Sequence, residues 1–171
     1  NLDTGFENTF VGKGSGVGLT GGDNVTCIGH ATTPSGANAS NEVTFGNNSI
    51  SSLRCNTQSI SSLSDERDKT NIQNLDAGLD FINSLRPVSF DWNMRDGGRV
   101  GDADTGFIAQ ELSAAQETHG VEIPRLVTTA VNANGEDTFE AAYSRLIPSM
   151  VLAIKELKAE NDALKTRLTA L

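Results

Sequence analysis

Hydrophobic positions along this chain change their rhythm as it is read from one end to the other. In roughly the first third they occur as short runs, each closed by a glycine. Thr9-Phe10-Val11-Gly12, Thr26-Cys27-Ile28-Gly29 and Val43-Thr44-Phe45-Gly46 recur at a spacing of seventeen, with Gly12, Gly29 and Gly46 in register. One such unit is too thin to bury a face alone, so the pattern predicts short β segments stabilised by stacking rungs or by wrapping neighbouring chains together. The stretch from Ser49 to Cys55, with Gln58-Ser59-Ile60, reads as a continuation of the same thin, polar β structure.

Beyond the mid-sixties the periodicity becomes helical. Leu75, Leu79, Ile82 and Leu85 lie at helix spacing and stop before Pro87, whereas Val88, Phe90 and Trp92 alternate as a half-buried strand. Gly97-Gly98 and the charges around Asp102 mark a loop, and Phe107, Ile108 and Leu112 lead a second helix ended by Gly120. Leu126 to Val131 and Thr138 to Ala142 read as a hairpin, with Asn134-Gly135 supplying the turn.

From Ser144 to the last residue the chain is one amphipathic helix, 144–171, with Pro148 near its first turn, where proline is tolerated. Ile147, Ile154, Asn161 and Leu168 fall at heptad position a, and Met150, Leu157, Leu164 and Leu171 at d. Glu160 at g and Lys165 at the following e suit parallel strands in register, and Asn161 is the type of polar a residue that fixes register. Ile at a with Leu at d leans toward dimers, while Val151 at e and Ala153 at g widen the apolar stripe toward a larger bundle. A helix packed on its own domain is the other use of such a stripe.

Charge narrows the partners. The net charge of −9 divides into −2 for residues 1–63 and −7 for the rest, which disfavours a nucleic-acid surface or an anionic membrane. No apolar run spans a bilayer and no signal-like segment opens the chain, so it reads as a soluble protein made in a cytoplasm, without membrane insertion. Asn1 in place of Met suggests a piece of something longer. Cys27 and Cys55 are too few and too far apart for a zinc site, and His30 and His119 have no ligand-like company, so no metal is expected. Gly16-Val17-Gly18-Leu19-Thr20-Gly21 spells GxGxxG, but no apolar strand precedes it and no amphipathic helix follows, so glycine turns explain it and no cofactor is expected.

The segment Ser64-Asp65-Glu66-Arg67-Asp68-Lys69-Thr70-Asn71-Ile72 separates the two compositions and places a hydroxyl five residues before a lysine. A desolvated, neutral lysine amine can take a hydroxyl proton, so Ser64 and Lys69 are a candidate nucleophile and base. The plainer reading is that Ser64 caps a helix with a solvated charge run behind it. Five residues on an α-helix set two side chains well apart around the axis, so the pair must meet across a non-helical turn or between subunits.

Ser64-Asp65-x-Arg67-x-Lys69-x-Asn71-Ile72 also resembles the start of the C-terminal intramolecular chaperone domain of phage tailspikes and tail fibres, the endosialidase-type self-cleaving serine peptidases. Further blocks follow in that family's order: Leu85-Arg86-Pro87-Val88-Ser89-Phe90-Asp91-Trp92, Thr105-Gly106-Phe107-Ile108-Ala109-Gln110-Glu111, and Tyr143-Ser144-Arg145-Leu146-Ile147-Pro148 running into Ala153-Ile154-Lys155-Glu156-Leu157. The resemblance implies an α+β chain. Residues 1–63 would be a β-repeat fibre or tailspike tip, a trimeric β-helix or β-prism, and residues 64–171 a mixed α/β chaperone ending in a trimeric coiled-coil helix.

It implies a single autoproteolytic cut per chain between Leu63 and Ser64. Ser64 is the nucleophile and Lys69 the base, its amine kept neutral by burial and by the nearby cation Arg67. Asp65, Arg67 and Asn71 would position the loop. The expected assembly is a homotrimer. Its mature part would sit in the virion and meet a host-cell surface receptor, while the released chaperone would be left out of the virion. Two other readings stand beside this one. In the first, a structural fibre end trimerises and stays attached. In the second, the same kind of domain sits in a membrane-anchored transcription factor, against which speak the rungs that stand where a DNA-binding domain would.

Overall fold

In a computed structural model of the chain, residues 4–57, 59–95, 97–131 and 135–170 are described, and they form two compact units. One is drawn from residues 1–54, 89–105 and 129–139, the other from residues 55–88, 106–128 and 140–171.

The first unit is built on β1 (Thr9–Val11), β2 (Val25–Ile28) and β3 (Glu42–Phe45), which form a three-stranded parallel sheet in chain order. Phe10 pairs with Cys27, and Cys27 with Thr44, so the sheet register is the seventeen-residue sequence repeat itself. The rungs therefore stack within one chain. Side chains repeat the step: the Asp23 carboxylate accepts the Phe6 N–H at 2.7 Å, the Ser40 hydroxyl oxygen accepts the Asp23 N–H at 3.1 Å, and Asn24 donates to Asn41 at 2.9 Å. Leu19, Val25 and Cys27 are buried inside, with Phe10 and Ala39 packed on them.

Each strand closes on its glycine at positive φ, +129° at Gly12, +132° at Gly29 and +74° at Gly46. A Cβ on Gly29 would stand 3.0 Å from the Cα of Gly46, so the column admits no side chain without displacing backbone. Cys27 and Cys55 are both free, Cys27 buried and Cys55 exposed. The GxGxxG segment lies in turns after β1, with no helix behind it.

The second unit holds the main apolar core: Phe81, Leu112, Leu126, Leu146, Ala77 and Ile123, all buried. Phe81 comes from α1 (Leu79–Ser84) and Leu112 from α2 (Ala109–His119). α1 begins later than the leucine spacing predicts and leaves Leu75 outside it. Gly78 disfavours helix, and the first helical N–H, that of Leu79, is taken at 2.6 Å by the carboxylate of Glu156 from the far end of the chain. α2 ends as predicted: Gly120 adopts the left-handed conformation, and the N–H groups of Gly120 and Val121 bond back to the Glu117 and Gln116 carbonyls.

β4 (Val88–Asp91) is the alternating strand read from the sequence. Its partner β5 (Ala103–Gly106) is not, because Ala-Asp-Thr-Gly offers no apolar alternation to read. β6 (Val127–Val131) and β7 (Asp137–Ala141) form the expected hairpin. Of its proposed turn, Gly135 has φ +79° and Asn134 lies outside the described residues.

The C-terminal helix starts three residues later than read. Tyr143–Leu146 form a 3₁₀ turn, and α3 runs for 23 residues, Ile147–Thr169, with Pro148 in its first turn; Leu171, the last d position, lies outside the described residues. α3 uses two faces. Ser149 and Ala153 are buried on the side that packs on α1, and Glu156, one turn on, caps it. The a and d residues Ile147, Met150, Ile154, Leu157, Leu164 and Leu168 are 49–73% exposed. Ala153 thus serves the domain rather than the stripe it was expected to widen. Among the described residues no helix is long and apolar enough to cross a membrane.

Candidate functional site

The loop from Ser64 to Asn71 is organised by Asp65. Its backbone is extended, and its carboxylate accepts the Arg67 N–H at 2.9 Å, so Asp65 rather than Ser64 caps the 3₁₀ turn Glu66–Asp68. The same carboxylate takes the Arg67 guanidinium in a two-pronged pair, at 3.0 and 2.6 Å. That guanidinium, and after it the Arg67 N–H, hold the Asp65 carboxyl below the usual carboxylate range. Lys69 closes the turn with its N–H on the Glu66 carbonyl and then runs extended. Asn71 follows at φ +53°, a left-handed position that asparagine tolerates, and turns the chain.

One tight turn between two extended residues does what five helical residues could not. The Lys69 Nζ lies 2.6 Å from the Ser64 Oγ and 3.1 Å from the Ser64 carbonyl oxygen. The first distance is within the reach required for proton transfer between a nucleophile and its base. Asp65 and Arg67 hold the turn that makes the contact, and Asn71 shapes its exit.

Two features expected of the base are not supplied by the single chain. Lys69 and the whole of residues 59–76 are exposed, so the amine is not desolvated. Arg67 spends its charge on Asp65 and is not a free cation beside the lysine. Leu63, on the other side of the candidate bond, is 98% exposed.

Residues Arg86, Gly106, Phe107, Glu111 and Tyr143 of the remaining sequence blocks lie in the second unit and do structural work there. Arg86 forms a two-pronged pair with Glu111, its Nε 3.1 Å from Oε2. The Tyr143 hydroxyl donates to the Phe107 carbonyl at 3.0 Å and accepts the Phe107 N–H at 3.2 Å, with the two rings edge to face at 5.4 Å. A Cβ on Gly106 would come within 2.7 Å of that hydroxyl, so this glycine is what lets the tyrosine seat. Glu156 is the residue that no sequence signal singles out. A heptad c position carries no signal for capping a helix 77 residues away.

Compared with known families, residues 64–121 match the family model described as Chaperone of endosialidase, a family named as a peptidase. The match opens on Ser64 and covers the Ser64–Lys69 turn, α1, β4, β5 and α2, about a third of the chain, and it supports an endosialidase-type chaperone domain there. No curated protein matches the chain.

Proposed function

We propose, from the chaperone-of-endosialidase match that opens at Ser64, that residues 64–171 are a self-cleaving intramolecular chaperone for residues 1–63, a phage fibre or tailspike tip. The observation that carries this reading is the Ser64 Oγ 2.6 Å from the Lys69 Nζ, at the first residue of the matched segment. The exposed a and d stripe of α3 supports assembly as a homotrimer, with the three copies in parallel. The mature tip then belongs to the virion and meets a host-cell surface receptor, and the chaperone is left behind.

In the reaction the Ser64 Oγ attacks the Leu63 carbonyl carbon. A C–O bond forms, the Leu63–Ser64 C–N bond breaks, and Lys69 carries the hydroxyl proton to the departing Ser64 nitrogen. Water then hydrolyses the Leu63 ester, restoring the hydroxyl and leaving a Leu63 carboxylate and a new amino terminus at Ser64. The chemistry calls for neither metal nor cofactor. Lys69 must be neutral to accept the proton, so the desolvation that one chain lacks comes from its partners in the assembled trimer.

The exposure of Lys69 in a single chain favours a second reading, in which Ser64 is inert and the domain is a permanent trimeric end. A denaturing gel with N-terminal sequencing separates the two. Self-cleavage yields two pieces, the smaller beginning at Asn1 and the larger at Ser64, and Ser64→Ala or Lys69→Ala leaves one full-length band in trimers of unchanged size. Either variant still splitting after Leu63 removes that residue from the mechanism, and an uncut wild type leaves the permanent end standing.

A further inference from the structure

We propose that the open face of α3 is covered by a second copy of this chain whose Lys158 enters the acidic cavity at the head of α1, so that each α1 is bound to the α3 of its neighbour. This rests on the parallel trimer proposed above. The exposed a and d stripe of α3 is the unpartnered face, and charge and register together choose its occupant.

The cavity, of about 380 Å³, lies between the start of α1, the end of α2 and one flank of α3. Asp76, Asp80, Glu156 and Glu160 line it, with His119 from α2. Glu156 caps Leu79 at 2.6 Å, and a Cβ on Gly78 would run into its carboxylate, so only a glycine lets α1 and α3 close here. Asp76, Asp80 and Glu160 make no ion pair among the described residues. Carboxylates gathered without a cation repel one another, and a cation brought among them is attracted by all.

The heptads bring such a cation. Glu156 stands at c and Ala153 and Glu160 at g, on the flank that packs toward α1, directly beside the exposed stripe. In a parallel coiled coil the g flank of one helix lies against the e flank of the next, and the e residues are Val151, Lys158 and Lys165. Copies in register set the same residue at the same height, so the neighbour's Lys158 comes level with the gap between Glu156 and Glu160, about 3 Å of helical rise from each. Its flexible four-carbon stem carries the ammonium to the cavity. In the single chain Lys158 holds only Asp162 of its own helix, at the surface, where an i,i+4 pair contributes little. Lys165, one heptad on, is left for the ordinary pairing with Glu160. Assembly through α3 then also fixes the head of α1, the helix that carries Phe81 into the core.

The test uses the full chain carrying Ser64→Ala, so that it stays in one piece, and a water-soluble carbodiimide, which joins a lysine amine to a carboxylate in contact with it. Peptide mapping of the treated protein should find Lys158 linked to Asp76 or Asp80. Lys158→Arg keeps the charge but removes the amine, and Asp76→Asn with Asp80→Asn removes the acceptors, so neither chain expressed alone should give the link. Coexpressed, the two chains should restore it, because in mixed trimers the amine and the carboxylates come from different copies. Trimers in sedimentation without this link, or a link in the parent chain that the coexpressed pair fails to restore, would overturn the Lys158 contact and leave the trimer standing. Monomers in sedimentation would remove the parallel trimer itself, and this contact with it.

Discussion

Ser64 and Lys69 meet because Asp65 caps a single 3₁₀ turn between them, so the side chain that matters most for the geometry is neither of the two that meet. The only tryptophan of the chain offers a readout of the same kind of local organisation. Trp92 donates its indole N–H to the Asp104 carboxylate at 3.0 Å, and Arg99 lies over its ring at 4.8 Å. The indole hydrogen bond first, then the Thr105 N–H, then Arg99 hold the Asp104 carboxyl below its ordinary value. A carboxyl lowered in the folded chain contributes stability above its unfolded pKa and loses it as pH falls through the folded one. Trp92 fluorescence should therefore stay constant down through the ordinary aspartate pKa of about 3.9 and change only below it. Asp104→Asn should remove that acid step and leave the neutral-pH spectrum little altered; a midpoint at or above the ordinary value contradicts the arrangement.

At the scale of elements, α3 divides its labour by face. Its small side, Ser149 and Ala153, docks on α1, and its large apolar side is left to solvent in the single chain. Substitutions on the two faces should fail in different ways. Leu157→Lys with Leu164→Lys should convert trimers to monomers in sedimentation or size exclusion, yet keep the Phe81–Leu112–Leu126 core, because neither leucine belongs to it. Ala153→Leu should leave oligomer size unchanged and cost about 1–3 kcal/mol in denaturant unfolding, since the added atoms have nowhere to go against α1. Oligomers that survive both lysines would show that α3 is not the trimerising element.

For the whole molecule, the contrast between the two units sets an order of events. The rung unit buries little, Leu19, Val25 and Cys27, whereas α3 carries a heptad stripe that finds partners through local sequence. Assembly should begin at the C-terminus. Deleting residues 144–171 from the uncut chain should abolish cleavage and send residues 1–63 to the insoluble fraction or to monomer, while removing the same helix after the cut should leave the tip intact, now protected by an unfolding barrier. Soluble, SDS-resistant trimers of residues 1–63 expressed alone would sink the chaperone reading and leave the permanent structural end.

Much of this was legible in the residues themselves. The seventeen-residue glycine register became the sheet register without adjustment, because a parallel ladder copies the sequence period directly. Gly120 ended α2, and the heptads marked an unpartnered stripe, since both signals are local. Tertiary structure decided what depends on distant residues. It put Glu156 at the head of α1 and so shortened that helix, made a strand of the polar β5, and spent Ala153 on α1. It also showed rungs stacked within one chain, a choice on which the spacing was silent because stacking and wrapping share one period. The turn that joins Ser64 to Lys69 was named by sequence only as something non-helical; its form came from the Asp65 cap and the Arg67 pair, a side-chain agreement that no periodicity encodes.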